Sequence, residues 1–315
     1  MSTQSFGTAL PISGAVTDSN ALNEVPLNDL PKWSPWPARL LSISAWSKAT
    51  RDLEKVEQEY NRDKYGACIR FLKETSGQIS IDKLKSFELG GDPESEIVCS
   101  IRNALFRMTI REARERYYRL VVDSIAELTK DCATVVELGA GYGYNLVLLK
   151  RRAPDKWYVG GEYAANAIVV AEQLSQRQEA EGGAGTAELQ GIPLHRFNFY
   201  DANDYEFLEA CPGPVAIFTV HAVQQVVPSA MPMIDALRRH KHKVRRVIHL
   251  ETVNELHDAT LIGLMRQKYL SENDYNIDML NCFHAESDIR IVAAESNVFG
   301  VNPLNPTSIL VWEWC

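Results

Sequence analysis

The sequence predicts an α/β protein in which a helical N-terminal region precedes a wound, mostly parallel sheet. After residue 132, short apolar runs alternate with helical stretches, the pattern of parallel strands joined by crossover helices. Seven runs qualify as strands: residues 134–138, 157–161, 194–200, 215–220, 244–250, 290–294 and 308–314. The connection at residues 300–306 is too short for a crossover helix, so we expect the last two strands to form an antiparallel hairpin.

The remaining segments of the chain are assigned from their composition and from the spacing of their apolar residues. Residues 1–37 are rich in Pro, Ser and Asn, which predicts an N-terminal arm. Residues 38–131 carry apolar side chains at three- and four-residue spacing, which predicts a helical region, with a capping box at Thr109 and Glu112. The core domain is predicted to span residues 132–315, with a helical insertion at 254–284 and a glycine-rich loop at 179–185.

Composition limits the classes of function. The chain is 45% hydrophobic and 23% charged and has no apolar run near 18 residues, so we expect no membrane association. Six cysteines without a Cys-x-x-Cys pair predict reduced thiols in the cytoplasm. A net charge of −8 disfavours nucleic acid as a partner, and the basic residues 238–246 are expected to form a solvated helix end.

The most informative motif is Glu137-Leu-Gly-Ala-Gly-Tyr-Gly143, which follows a buried strand and precedes a helical run. Glycines at alternate positions let the backbone turn tightly beneath a ligand, and the helix start offers free N–H groups. A dinucleotide site would need a glycine at the sixth position, where this chain has Tyr144. The motif therefore favours a ligand with a carboxylate and a cationic amino group.

This motif resembles motif I of the class I S-adenosylmethionine-dependent methyltransferases. The resemblance implies a Rossmann-like, seven-stranded sheet with an antiparallel C-terminal hairpin, and S-adenosylmethionine as the cofactor. On that basis the methionine part of the cofactor is assigned to the motif residues, which are Glu137, Gly139, Ala140, Gly141 and Gly143.

Two further strand ends are expected to complete the cofactor site. Glu162 follows Gly143 by 19 residues, near the spacing of an acid that binds ribose hydroxyls. The family commonly has an acid at the end of the third strand that receives the adenine amino group, and Asp201 matches it. The neighbouring residues assigned to the cofactor are Tyr163, Tyr200 and Thr219.

Catalytic residues are less well specified, because positioning dominates methyl transfer. His221 follows the fourth strand and is a candidate general base, or alternatively a histidine bonded within its loop. Glu251 ends the fifth strand and would attract a cationic acceptor, or alternatively form a buried salt bridge. Candidate substrate contacts are Tyr117, Gln224, Tyr269 and Tyr275. No metal is expected, since residues 219–225 contain no acid.

The sequence thus predicts a methyltransferase acting on oxygen or nitrogen of a small molecule, such as a sugar or natural product, or of a peptide. The N-terminal helices and the insertion resemble the lids of natural-product and sugar O-methyltransferases, which suggests natural product biosynthesis. An alternative is a catalytically silent methyltransferase-like domain that binds a protein partner. The sequence leaves the oligomeric state open, a homodimer included.

Overall fold

The computed structural model describes residues 16–19, 22–48, 50–75, 79–180 and 189–315. Residues 1–15, 20 and 21 of the predicted arm and most of the glycine-rich loop at 179–185 lie outside these residues. The described part of the chain forms one sheet with the strand order β1-β3-β2-β9-β10-β8-β7-β4-β5-β6. The strands are β1 Asn23–Val25, β2 Glu96–Ile101, β3 Ala104–Thr109, β4 Thr134–Leu138, β5 Trp157–Glu162, β6 Leu194–Arg196, β7 Val215–Val220, β8 Val244–Glu251, β9 Ile289–Gly300 and β10 Thr307–Trp314.

The prediction of seven strands is wrong in number, and the three further strands make the sheet mixed instead of mostly parallel. The described sheet has ten strands and is mixed: β6, β5, β4, β7 and β8 pair in parallel, whereas every pairing from β8 onward to β1 is antiparallel. The expected antiparallel pairing of the last two strands, β9 and β10, is present.

Two of the three unexpected strands, β2 and β3, come from the region predicted to be helical, and β1 lies in the predicted N-terminal arm. Strands β2 and β3 form a hairpin whose residues are buried on both faces near the turn, so they lack the alternation that reveals a half-buried strand. Its turn, Arg102-Asn103, contains no glycine, although Arg102 has a positive φ of 53°. Strand β9 has 12 residues and its end pairs with β2, which covers an edge that would otherwise be exposed.

The helices are α1 Trp36–Leu40, α2 Leu53–Val56, α3 Gly66–Glu74, α4 Ile81–Leu89, α5 Ile110–Leu128, α6 Tyr144–Arg152, α7 Ala165–Ala180, α8 Met231–Arg239, α9 Leu261–Glu272 and α10 Met279–Ala285. A π-helical stretch, Glu57–Tyr65, joins α2 to α3. We call residues 53–75 and 79–89 the cap. Helix α5 begins at the predicted capping box, with Thr109 and Glu112 exchanging their hydrogen bonds. None of the helices within the described ranges is long and apolar enough to cross a bilayer.

Three hydrophobic clusters hold these layers together. One cluster joins α5, α6 and α7 to the sheet and to cap residues such as Leu72 and Leu84. A second packs α8 and α10 against the sheet through residues such as Trp312 and Phe283. The third fixes the segment around Leu30 and α1 against α9. The cap is therefore part of the core and not an appendage.

The basic residues 238–246 run from the end of α8 into β8, and several of their charges meet acids. Arg238 contacts Asp288 and Glu286, and Arg246 contacts Glu313. This matches the interpretation of the segment as an ordinary helix end. All six cysteines are free thiols.

Candidate cofactor site

A cavity of about 320 Å³ lies at the carboxyl ends of β4, β5 and β7 and is covered by the cap. This volume is at the lower end of the range of small-molecule sites, roughly 300–1,000 Å³. The predicted cofactor residues that line it are Glu137, Gly139, Ala140, Gly141, Glu162, Tyr163 and Tyr200. The structure thus brings the motif I loop and the end of the next strand to one cavity.

The glycine loop is tightly enclosed. Gly139 and Gly141 have φ values of +81° and +57°, a region that side chains rarely adopt. A Cβ at Gly139 would lie 2.5 Å from the Cβ of Ala222, and one at Gly141 would lie 2.7 Å from the hydroxyl of Tyr65. The first glycine therefore allows the loop after β7 to approach, and the second allows the cap to close over the motif.

The side chain of Glu137 reaches the cavity, and one of its two carboxyl oxygens has no hydrogen-bond partner. Its Oε1 accepts a hydrogen bond of 2.6 Å from Nδ2 of Asn145, whereas Oε2 is buried and has no hydrogen-bond partner. Burial raises the pKa of Glu137 to about 8, against the opposing effects of the Asn145 hydrogen bond and of Lys85. An unsatisfied buried carboxyl oxygen at a cavity surface is the feature that a bound ammonium group would satisfy.

Glu162 connects the glycine loop to the end of β5. Its Oε2 accepts a hydrogen bond of 2.7 Å from Gly141 N, and its Oε1 accepts one of 2.6 Å from Ala164 N. Burial raises the pKa of Glu162, and the two backbone hydrogen bonds oppose this change. Each carboxylate oxygen has a second lone pair, so the group retains capacity for ligand hydroxyls.

The cap side of the cavity is rich in phenols and carries a buried ion cluster. Eight of the chain's 12 tyrosines line the cavity, namely Tyr60, Tyr65, Tyr117, Tyr118, Tyr142, Tyr144, Tyr163 and Tyr200. Lys64, Lys85 and Glu88 also line it, and Nζ of each lysine lies within 3 Å of the Glu88 carboxylate. The two lysines hold the pKa of Glu88 at about 2 despite the burial that opposes them. The cavity therefore presents both signs of charge within aromatic walls.

Three of the residues predicted to bind cofactor lie outside the cavity lining. Gly143 is the N-cap of α6, with φ +87°, and supports the loop from behind. Thr219 is buried, and its Oγ1 lies 2.9 Å from Nδ1 of His249. Asp201 is exposed and caps the 3₁₀ helix Ala202–Ala210 through Asn203 N. Strand β6 ends at Arg196 instead of Tyr200, so the chain turns before Asp201, and the residues that reach the cavity are Asn198, Phe199 and Tyr200.

His221 lines the cavity, but both nitrogens of its ring are engaged elsewhere. Nδ1 lies 3.1 Å from Oε1 of Gln224, and Nε2 lies 2.8 Å from Oγ1 of Thr307. The amide oxygen only accepts, so Nδ1 carries the proton and Nε2 accepts from the threonine hydroxyl. In this arrangement His221 shapes the loop after β7, where its φ is +49°. Gln224, a predicted substrate contact, is buried and does not line the cavity.

Glu251 does not face the cavity. It is fully buried beneath the loop after β7, and its carboxylate accepts hydrogen bonds from the backbone N–H groups of Ala222, Val223 and Gln224. Its carboxylate is therefore placed neither to meet a cationic acceptor nor in the alternative salt bridge, because its partners are backbone amides that no sequence pattern reveals. Glu251 fixes the loop that carries His221.

Of the other predicted substrate contacts, only Tyr117 lines the cavity. Tyr269 packs edge-on against Trp36 of α1, and Tyr275 packs beneath the guanidinium of Arg51. The insertion therefore holds the segment before the cap. Its Asn276 also bonds the backbone of Gln224 and Val226, which supports the loop after β7 from below.

No protein-family model and no curated protein matches this chain. Similar solved structures include the magnesium protoporphyrin IX methyltransferase of Synechocystis PCC 6803 with bound SAM (12% identity, TM-score 0.45, 86% of this chain and 100% of that chain). They also include the mitomycin 7-O-methyltransferase MmcR (14%, 0.40, 65% and 58%) and a Klebsiella pneumoniae putative O-methyltransferase (16%, 0.37, 61% and 78%). These neighbours are methyltransferases.

The chain spans 58% of the mitomycin 7-O-methyltransferase. All three TM-scores are below 0.5, so these similarities carry no weight in assigning a substrate or an activity. The features that indicate a ligand site are in the cavity itself: a carboxyl oxygen without a hydrogen-bond partner, a glycine loop and a second acid on the neighbouring strand.

The cap falls within the predicted helical lid region, but none of its individual side chains is among the predicted site residues. The side chains from this region that line the cavity are Leu53, Val56, Tyr60, Lys64, Tyr65, Lys85, Glu88 and Leu89. A weak signal was present, since Tyr60 and Lys64 are four residues apart and Lys85 and Glu88 three apart, so each pair shares one helix face. The direction in which that face points depends on how the cap packs on the sheet.

Proposed function

We propose that this chain is an S-adenosylmethionine-dependent methyltransferase whose cofactor binds in the cavity over the glycine loop. The observation that carries the proposal is the buried, unpartnered Oε2 of Glu137 beside Gly139 and Gly141. The residues present fit the cofactor: Glu137 would hold its amino group, Glu162 its ribose hydroxyls, and Phe199 and Tyr200 would pack on its base. When bound, the cofactor supplies an activated methyl group.

The chain's own residues would exclude water and set the position of the acceptor. The cap covers the cavity, and the loop after β7 brings His221 and Gln225 to its other side. Tyr60 accepts a hydrogen bond of 3.0 Å from Nε2 of Gln225, which links the cap to that loop. Burial raises the pKa values of Tyr60 and Tyr117, so both remain hydroxyl donors at neutral pH.

We propose an oxygen or nitrogen of a small molecule, such as a sugar or natural product, or of a peptide as the acceptor. The wall of phenol groups supports an acceptor that is polar or aromatic. Dense aromatic walls also suit a cationic ligand, because ring faces attract positive charge.

Isothermal titration calorimetry with S-adenosylmethionine and S-adenosylhomocysteine tests the cofactor assignment, with NAD as the comparison ligand. We expect both sulfur compounds to bind with micromolar dissociation constants and NAD to give no heat. An absence of binding at millimolar S-adenosylmethionine would contradict the proposal. A screen with methyl-labelled cofactor against metabolites and peptides then separates an enzyme from a domain that binds cofactor without transferring its methyl group.

A further inference from the structure

The ion cluster in the cap has an unusual balance of charge. Nζ of Lys64 lies 2.8 Å from Oε1 of Glu88, and Nζ of Lys85 lies 3.0 and 2.9 Å from its two oxygens. The Glu88 side chain is 2% exposed and that of Lys85 is 17% exposed. Two ammonium groups therefore share one buried carboxylate at the cavity surface, and the side chain of Lys64 is 35% exposed. Their further electrostatic partners on the cavity are Glu162 for Lys64 and Glu137 for Lys85.

The carboxylate of Glu88 has no free lone-pair site for a further hydrogen bond from either lysine. A carboxylate has about four lone-pair sites. Lys64 and Lys85 occupy Oε1, and Lys85 and the hydroxyl of Tyr142 occupy Oε2, the last at 2.7 Å. Each ammonium has three N–H donors, so donors remain on both lysines. Ammonium donors that remain at a cavity surface form charge-assisted hydrogen bonds with anionic groups, so this end of the cavity suits a carboxylate.

An acceptor without a donor lies on the same cavity. Glu137 presents an unpartnered carboxyl oxygen, and it interacts electrostatically with Lys85. One end of the cavity thus offers a carboxyl oxygen without a hydrogen-bond partner and ammonium N–H donors that Glu88 cannot accept. The group that satisfies both has an ammonium and a carboxylate a few bonds apart, which is the chemistry of an α-amino acid.

We infer that Lys64 and Lys85 of the cap form a carboxylate-binding site that, together with Glu137, holds the zwitterionic amino-acid end of the ligand. The inference rests on the proposed function, in which that ligand is S-adenosylmethionine. It assigns to the cap a direct role in binding the cofactor, in addition to covering it.

The test compares Lys85→Met with Lys83→Met by calorimetry. Lys83 lies on the same helix but is exposed and does not line the cavity, so it is the matched control. The ligands are S-adenosylmethionine and decarboxylated S-adenosylmethionine, which differ only in the carboxylate. We expect Lys85→Met to bind S-adenosylmethionine about 10–100-fold more weakly than Lys83→Met, from the strength of a charged hydrogen bond. Affinity for the decarboxylated compound should change less than about threefold.

Stability of the ligand-free protein supplies a second readout. Loss of Lys85 leaves Lys64 and Glu88 as a balanced pair, so ligand-free Lys85→Met should unfold at or above the temperature of the natural chain. Lys64→Met should behave in the same way in both measurements. A residue that acted only by holding the cap in place would instead lower the unfolding temperature and weaken both ligands alike.

The outcomes are distinguishable. If the natural chain does not bind S-adenosylmethionine, the proposed function fails. Suppose instead that the natural chain binds S-adenosylmethionine. If Lys85→Met and Lys64→Met then bind it as tightly as the natural chain does, or lose affinity for both ligands to the same extent, the carboxylate site is overturned while the proposed function stands.

Discussion

The hydroxyl of Tyr65 lies directly over Gly141, so close that a Cβ on the glycine would be 2.7 Å from it. One residue belongs to the cap and the other to the glycine loop, and Gly141 N is also the donor to Glu162. Because Gly141 has no side chain, Tyr65 of the cap can approach the glycine loop this closely. This contact connects the closure of the cavity to the geometry of the loop beneath it.

Gly141→Ala should therefore weaken cofactor binding more than an ordinary glycine substitution does. Gly191→Ala is the matched control, because Gly191 has φ +73° and the nearest atom to an added Cβ is Nζ of Lys150 at 4.0 Å. We expect each variant to lose about 1–2 kcal/mol of unfolding free energy from the left-handed backbone. Gly141→Ala should lose more and should also bind cofactor at least tenfold more weakly, as measured by urea unfolding and calorimetry. Equal affinities in the two variants would contradict this.

Binding of the cofactor should release a proton. The pKa of Glu137 is about 8 without ligand, so its carboxyl group is mostly protonated at pH 6–7, whereas a bound ammonium pairs with the ionised form. Affinity should therefore rise with pH between 6 and 7.5, by up to tenfold per unit. Calorimetry in buffers of different ionisation enthalpy measures the proton count. Glu137→Gln should bind at least tenfold more weakly and show no such slope.

The same carboxyl group should make stability depend on pH. Its folded pKa of about 8 lies above its usual 4.5, so its stabilising contribution is complete below pH 4.5 and is lost as the pH rises towards 8. Glu137→Gln does not titrate. The unfolding free energy of ligand-free Glu137→Gln minus that of the natural chain should therefore increase by up to about 1.4 kcal/mol per pH unit between pH 5 and 8. A difference that is independent of pH would mean that Glu137 is ionised in the ligand-free protein.

Glu162→Ala should damage the folded state as well as the site. It removes the acceptor of Gly141 N and Ala164 N, and each unsatisfied buried N–H costs about 1–3 kcal/mol. Glu172→Gln on α7 is exposed and serves as the control. We expect a loss of about 2–4 kcal/mol in urea unfolding for Glu162→Ala and less than about 0.5 kcal/mol for the control.

Glu251 should act through the loop after β7. In Glu251→Ala, the amides of Ala222, Val223 and Gln224 lose their acceptor, so hydrogen exchange at these three positions should accelerate at least tenfold. Glu255→Ala is a control, since Glu255 accepts instead from Asn281 N. Unchanged exchange in Glu251→Ala would show that the loop is held by other contacts, such as those from Asn276.

Local signals in the sequence were sufficient for the parts of the fold that depend on neighbours along the chain. The glycine loop was recognisable because its residues are consecutive and its backbone requires glycine, as the positive φ values of Gly139 and Gly141 show. Glu162 was recognisable because one crossover helix fixes its spacing from the loop. The parallel strands β4, β5, β7 and β8 were apparent because buried strands are short, apolar and separated by amphipathic helices.

The rest was decided by tertiary packing. Asp201 and Glu251 have the right residue type at the right strand ends, yet one faces solvent and the other lies beneath a loop, because a turn of one or two residues changes where a side chain points. The cap lysines have only a weak signature, their spacing from Tyr60 and Glu88, since two lysines on amphipathic helices usually face water. They became cavity residues only because the cap packs into the core through Leu72 and Leu84, which turns their shared helix faces inward.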